Sequence, residues 1–150
     1  MRKYVFIGIG GFLGAISRFL IKGIQISHYY GNIPLNTLII NVTGSFILAL
    51  ILTVTFKNID FHADIRLGIT TGFFGAYTTF STLCKETVGL MQQGFYYSAL
   101  MYVTVSIVLG LVSVYLAIIL ARKIVFIIAR KDNESNKLVE DIVDIEEGVE

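Results

Sequence analysis

The sequence predicts an all-α integral membrane protein with four transmembrane helices. Of its 150 residues 55% are hydrophobic, and the mean hydropathy is +0.73, which is too apolar for a water-soluble domain of this size. A hydrocarbon core about 30 Å thick needs roughly 20 mainly apolar residues per helical crossing. The chain supplies four such stretches with short polar connections, so we expect a single multi-pass domain in the plasma membrane.

The four apolar stretches define the expected helices in chain order. The first is not expected to be a cleavable signal peptide, because no A-x-A-like site follows it and three comparable stretches come after it. The last stretch is longer than one crossing, so Arg122 and Lys123 are expected at the membrane interface. The predicted spans are Tyr4–Ile21, Pro34–Phe56, Ile65–Cys84 and Phe95–Ile128.

The C-terminal tail differs in composition from the spans. Eight of the eleven acidic residues lie between Asp132 and Glu150, where only Lys137 opposes them. We therefore predict a membrane domain over residues 1–130 and an acidic, mobile tail without a predicted fold over residues 131–150. The rest of the chain is basic, and basic residues at helix ends are more typical of contact with membrane lipid head groups than with nucleic acid.

The positions of the acidic and nucleophilic residues weigh against several classes of protein. No Asp or Glu precedes Asp60, whereas proton-coupled carriers and small exporters of organic cations usually place a carboxylate at membrane depth. His28 and His62 lie in predicted loops without ligand-spaced partners, so we expect no enzyme. The single cysteine, Cys84, excludes an internal disulfide.

The first span is rich in small residues and ends near a cation. Small residues four apart allow two helix backbones to approach closely in lipid, which is the preferred interpretation here. Arg18 either extends to the interface or lies at a water-filled vestibule, where it would raise the local anion concentration. The small residues are Gly8, Gly10, Gly11, Gly14 and Ala15.

The second and fourth spans each carry polar residues on one predicted face. Thr37, Asn41 and Ser45 recur at intervals of four, and Tyr102 and Ser106 do the same in the fourth span. An amide at membrane depth needs partners, so such a stripe indicates either hydrogen bonding between helices or the wall of a pore. Asn41 has two N–H donors and no charge that would trap an anion.

The third span, which contains GITTGFFGAYTTFSTL, is the least helix-like. Its glycines and β-branched threonines have low helix propensity, and hydroxyl groups can satisfy backbone groups that a broken helix would free. We therefore predict a helix break near Thr78 to Ser81, with a continuous threonine-rich helix as the alternative. Broken helices at membrane depth are tolerated where they are buried in protein or line a cavity.

Three segments, GGFLGAISRF, NTLIINVTGSF and GFFGAYTTFSTL, occur in this order and resemble the Fluc (CrcB) family of fluoride channels. The similarity extends from about Gly10 to Leu83, and the fourth span is similar in its Tyr and Ser placement. The resemblance implies an antiparallel dual-topology dimer with two pores. Fluoride would leave the cytoplasm through these pores passively, which would relieve fluoride toxicity.

The resemblance also implies roles for individual residues. Asn41 would meet the ion, and Phe80 would present the positive edge of its ring to it. Arg18 matches the vestibule arginine of the family. A structural sodium ion would be bound by the backbone carbonyls of Gly75 and Thr78. The implied pore residues are Asn41, Phe80, Ser81, Thr82, Tyr102 and Ser106, and Thr37 on the polar face of the second span is placed with them.

The chain departs from the family pattern at one position. Leu83 stands where the family typically has a second phenylalanine, so the aromatic part of the pore is incomplete. We expect a homodimer in inverted orientation. The alternatives are one subunit of a heterodimeric fluoride channel, non-conducting when alone, and, with less support, a small four-span exporter of organic cations.

Overall fold

The computed structural model describes residues 1–24, 31–58 and 62–147, with side chains described for residues 1–24, 31–55 and 62–131. All regular secondary structure in these ranges is helical, which confirms the predicted all-α class. The elements are α1 (Arg2–Lys22), α2 (Leu35–Asn58), α3 (Ala63–Leu67), a π-helical segment (Gly68–Phe73), α4 (Phe74–Tyr77), α5 (Phe80–Gln92) and α6 (Tyr96–Glu147).

Three helices in the described part of the chain are long and apolar enough to cross a membrane unaided. They correspond to the predicted first, second and fourth spans, over Arg2–Lys22, Leu35–Thr55 and Tyr96–Lys131. The third predicted span is divided among α3, the π-helical segment, α4 and α5. This part of the chain is helical but consists of several short pieces, and a fourth membrane crossing here remains a prediction.

The predicted break in the third span is confirmed at Thr78 and Thr79. Both residues have extended backbones, with φ and ψ of −74° and 152° at Thr78 and −148° and 114° at Thr79. The next helix begins at Phe80, where the Thr79 side chain caps it by accepting a hydrogen bond from the Thr82 N–H at 3.2 Å. The alternative of a continuous threonine-rich helix is therefore wrong.

The small residues of α1 explain how this helix packs against the third span. A Cβ atom on Gly10 would lie 2.9 Å from the carbonyl carbon of Gly68, and one on Gly14 would lie 2.9 Å from that of Phe73. Only hydrogen atoms fit at these two positions, so the backbones of the two elements are in direct contact. The predicted close packing through small residues is confirmed.

Two buried clusters hold the remaining helices together. The first joins α2, α5 and α6 around the fully buried Tyr102, and the second joins α2 to α4 around the fully buried Ile40. The first cluster contains Leu38, Leu83, Leu90, Ala99 and Tyr102, and the second contains Ile40, Phe74 and Tyr77. Because α2 contributes to both, it connects α6 to the part of the third span that precedes the break.

The last helix is longer than expected. With 52 residues, α6 is about 78 Å long, and its backbone remains helical as far as Glu147. The tail was expected to have no regular structure, but the spacing of Leu138, Ile142 and Ile145 at intervals of four and three is compatible with a helix. The division of the chain at residue 130 and the mobility of the tail remain predictions.

Candidate functional site

The side chain of Asn41 forms hydrogen bonds with the backbone at the helix break. Its Nδ2 donates a hydrogen bond to the Thr79 carbonyl at 3.1 Å, and its Oδ1 accepts one from the Thr79 N–H at 2.8 Å. A carboxamide has the same donor and acceptor groups as a peptide bond, so Asn41 satisfies both backbone groups of Thr79. Of the two alternatives that the sequence left open for this polar stripe, Asn41 makes the hydrogen bond between helices, and its predicted role in a pore remains a prediction. An Asn amide has two N–H donors, and this pair uses one of them.

The hydroxyl groups that follow the break form a small cluster. The Thr79 hydroxyl donates to Thr82 Oγ1 at 3.0 Å and lies 3.3 Å from Ser81 Oγ. Thr79 is buried, Thr82 is half-buried and Ser81 is exposed. Phe80 is 78% exposed, although it lies at the centre of the predicted pore motif. The break therefore presents an aromatic ring and a hydroxyl group on the outer surface of the chain.

A second polar group forms around Glu86, which was missed by sequence reasoning. The Thr37 hydroxyl donates to Glu86 Oε1 at 3.0 Å, and the Tyr102 hydroxyl donates to Oε2 at 2.8 Å. Lys22 Nζ lies 3.1 Å from Oε1 and forms an ion pair with it. Two of the predicted pore residues, Thr37 and Tyr102, are thus brought together by a carboxylate.

The spacing of Glu86 from Thr79 and Thr82 could have indicated its place in the site, but the predicted third span ended before it. The predicted third span ends at Cys84, which leaves Glu86 outside it. The observed helix α5 continues to Gln92. Thr79, Thr82 and Glu86 are separated by three and four residues, which places them along one face of this helix.

A polar cavity of about 700 Å³ lies beside this group, and we call it the vestibule cavity. It is open to the surroundings and leads to the carboxylate of Glu86 and the hydroxyl of Thr37. Asn36 also lines the cavity, and its Nδ2 donates to the carbonyls of Lys22 at 3.0 Å and Ile24 at 2.8 Å. The vestibule cavity is lined by Lys22, Gly23, Ile24, residues 31–35, Asn36, Thr37 and Glu86.

The side chains of Ser106 and Arg18, the remaining residues predicted for the pore and its vestibule, form no described hydrogen bond to the Glu86 carboxylate or to the hydroxyl cluster at the break. The hydroxyl of Ser106 donates to the Tyr102 carbonyl at 2.6 Å, which is a bond within α6. Arg18 is half-buried on α1 and is not among the described residues that line the vestibule cavity. Its predicted vestibule role remains a prediction. His62 is exposed and precedes α3, while His28 lies outside the described residues.

The helix break frees the carbonyl of Gly75, one of the two that the resemblance implies as ligands of a sodium ion. The Thr79 N–H is bonded to Asn41, so the Gly75 carbonyl does not receive the donor it would have in a continuous helix. Gly75 is exposed, and an added Cβ there would meet no atom within 4 Å. Among the described residues no group of three or more His, Cys, Asp or Glu side chains could hold a metal. Carbonyl oxygens are suitable ligands for hard cations.

Leu83, where the resemblance implies a phenylalanine, lies in the interior of the folded chain. It is 9% exposed and belongs to the cluster around Tyr102. Its neighbours Phe80 and Ser81, in contrast, are on the outer surface. A larger side chain at position 83 would therefore have to fit between α2, α5 and α6.

The fold defines a multi-pass helical membrane protein. Its site combines a break in one helix, where Asn41 bonds the Thr79 backbone, with a polar cavity lined by Thr37 and Glu86. A comparison with known families identifies it further. The family described as CrcB-like protein, Camphor Resistance (CrcB), matches residues 5–118. The chain belongs to this family. The matched segment is wider than the three motifs and includes most of the predicted first and fourth spans.

Several curated relatives are similar over nearly their whole length. A protein of Acidobacterium capsulatum is 41% identical over 124 residues, which cover 82% of this chain and 98% of the relative. One from Moorella thermoacetica is 37% identical over 137 residues, with 87% and 98% covered. One from Bacillus anthracis is 43% identical over 115 residues, with 75% and 83% covered. The first is named fluoride-specific ion channel FluC, and the other two are named fluoride-specific ion channel FluC 1. The predicted resemblance is thus confirmed.

Proposed function

We propose that this protein is a fluoride-selective ion channel that carries fluoride passively out of the cytoplasm. The observation that carries the proposal is the arrangement at the helix break, where the Asn41 amide and the Ser81 and Thr82 hydroxyls lie beside an exposed Phe80. These groups are fixed dipoles without a net charge, so they can replace the water around a small anion without holding it permanently. The similarity to proteins named fluoride-specific ion channels supports the same conclusion.

The proposed pore lies between two copies of the chain in opposite orientations. Phe80 and Ser81 are exposed in the single protomer, although both occur within the motif shared with the family. A second, inverted copy would enclose them, and the ring edge of Phe80 would then face the ion. A homodimer is the simplest assembly. A pair with a non-identical subunit is the alternative that Leu83 raises.

A sodium ion is proposed at the break, held by the carbonyls of Gly75 and Thr78. It would neutralise the partial negative charge of carbonyls that lack helical partners. The Asn41–Thr79 pair would fix these carbonyls in place. The ion would thus be structural, with no part in conduction.

Growth in fluoride tests the proposed function in cells. A bacterial strain without fluoride channels of its own would express this chain, and growth would be followed at increasing fluoride concentration. We expect growth at fluoride concentrations that stop the strain carrying an empty vector. Equal sensitivity of the two strains, with the protein present in the membrane, would contradict the proposal.

A further inference from the structure

A carboxylate in the vestibule cavity conflicts with an anion channel unless its charge is balanced. Glu86 lines this cavity, and its side chain is 19% exposed. An uncompensated negative charge there would lower the local concentration of an approaching anion. The inference that follows rests on the proposed function, because it concerns how an anion reaches the same pore.

Glu86 cannot move away from the cavity without losing its hydrogen bonds. The hydroxyls of Thr37 and Tyr102 donate to its two carboxylate oxygens at 3.0 and 2.8 Å. Both donors are buried, with exposed fractions of 1% and 0%. Such bonds to a charged acceptor are stronger than bonds between neutral groups, so they hold the carboxylate against the cavity wall.

Lys22 supplies the opposite charge at the same place. Its Nζ lies 3.1 Å from Glu86 Oε1, and its side chain is 49% exposed. Among the described residues that line the vestibule cavity, Lys22 is the only cation and Glu86 the only anion. Lys85 is next to Glu86 in sequence, but it is exposed and does not line this cavity.

The backbone of Lys22 is held in position by a neighbouring helix. Asn36 donates to the carbonyls of Lys22 and Ile24, and so fixes the end of α1 beside the start of α2. The next residue, Thr37, is one of the two that hold Glu86. The lysine and the carboxylate are therefore positioned by adjacent residues of α2.

We propose that Lys22 is the counter-charge that keeps the vestibule cavity neutral and so allows anions to enter it. Lys22 acts through Glu86 and through the local potential, so it is a positioning and steering residue. The Lys22–Glu86 ion pair contributes little to the free energy of unfolding, because an ion pair with a partly exposed lysine is worth little in water. Its effect is on the rate at which fluoride reaches the pore.

The test compares initial fluoride efflux from liposomes that contain the wild type, Lys22→Gln or Lys85→Gln, at low ionic strength. Lys85→Gln is the matched control, because it removes the same charge from an exposed site outside the cavity. We expect Lys22→Gln to reduce efflux about tenfold, within the range typical of electrostatic steering. We expect Lys85→Gln to have the rate of the wild type.

Added impermeant salt separates steering from a structural defect. At 1 M salt, charges are screened within about 3 Å, so the difference between Lys22→Gln and the wild type should largely disappear. Lys22→Arg should have nearly wild-type efflux at both salt concentrations. The double variant Lys22→Gln with Glu86→Gln removes both charges, and it should recover most of the lost rate at low salt.

Several results would overturn the inference. Wild-type efflux from Lys22→Gln at low salt would show that the counter-charge is not needed. An equal loss at both salt concentrations, or no recovery in the double variant, would show that Lys22 acts in another way. Lys22→Met, which is also uncharged, is measured in parallel in case Lys22→Gln does not fold. A silent wild type would instead contradict the proposed function.

Discussion

The carboxamide of Asn41 and the peptide groups of Thr79 form a reciprocal hydrogen-bonded pair, with N···O distances of 3.1 and 2.8 Å. This pair joins α2 to the break in the third span, and its bond to the Thr79 N–H replaces the one that Thr79 would donate to the Gly75 carbonyl in a continuous helix. The break is thus maintained by one side chain from another span. The proposed conduction path and the stability of the break consequently depend on the same residue.

Asn41→Asp is expected to abolish fluoride efflux. The carboxylate can still accept from the Thr79 N–H, but it cannot donate to the Thr79 carbonyl. It also places a negative charge in the proposed path of an anion. Efflux from liposomes is measured against Gln92→Glu, which makes the same chemical change at an exposed position on α5. Undiminished efflux from Asn41→Asp would remove Asn41 from the path.

Gly14→Ala is expected to destabilise the protein by about 1–3 kcal/mol, the usual cost of overpacking. The added methyl group would lie 2.9 Å from the Phe73 carbonyl carbon, so α1 would have to move away from the third span. Gly8→Ala is the matched control, because a Cβ there meets no atom within 4 Å. Thermal unfolding in detergent should show a lower midpoint for Gly14→Ala alone. Equal midpoints would show that the close packing is not needed.

Thr79→Val is expected to weaken the start of α5 by about 0.5–2 kcal/mol, as for other lost helix caps. Valine has nearly the same shape, but it cannot accept from the Thr82 N–H or donate to the Thr82 hydroxyl. Thr79→Ser keeps the hydroxyl and should retain most of the stability. Chemical unfolding of the two variants would test this. A Thr79→Ser variant as unstable as Thr79→Val would mean that the methyl group, and not the cap, is important.

Leu83→Phe introduces the residue that the resemblance implies at this position, but we expect it to destabilise this chain by about 1–3 kcal/mol. Leu83 is buried among α2, α5 and α6, where a ring needs space that the leucine does not leave. Leu111→Phe, at a position 68% exposed on α6, is the control. The midpoint of thermal unfolding should fall for Leu83→Phe only. A higher fluoride efflux with an unchanged midpoint would contradict this prediction.

Features that depend on local composition could be predicted from the sequence. The apolar stretches gave the first, second and fourth spans, and the glycines and threonines of the third span indicated its break. The predicted close packing of α1 also follows from composition, because only small residues let backbones meet. Asn41 was identified as a candidate site residue, but its hydrogen bonds to the Thr79 backbone at the break were not predicted.

The Glu86 group could not be predicted in the same way. Its four members, Lys22, Thr37, Glu86 and Tyr102, lie on four different helices that meet only in the folded chain. Hydropathy assigns a charged residue after an apolar stretch to a loop, so Glu86 was placed outside the third span. The observed α5 extends eight residues past Cys84, and this extension brings the carboxylate beside the vestibule cavity.

Fluoride efflux from liposomes that contain only this purified chain tests the central claim most directly. The liposomes would be loaded with fluoride or with chloride as the control, and the release of each anion would be followed with an ion-selective electrode. We predict rapid efflux of fluoride without efflux of chloride, which would establish a selective channel made of one kind of subunit. Efflux of both anions, or no fluoride efflux from folded protein, would contradict this account.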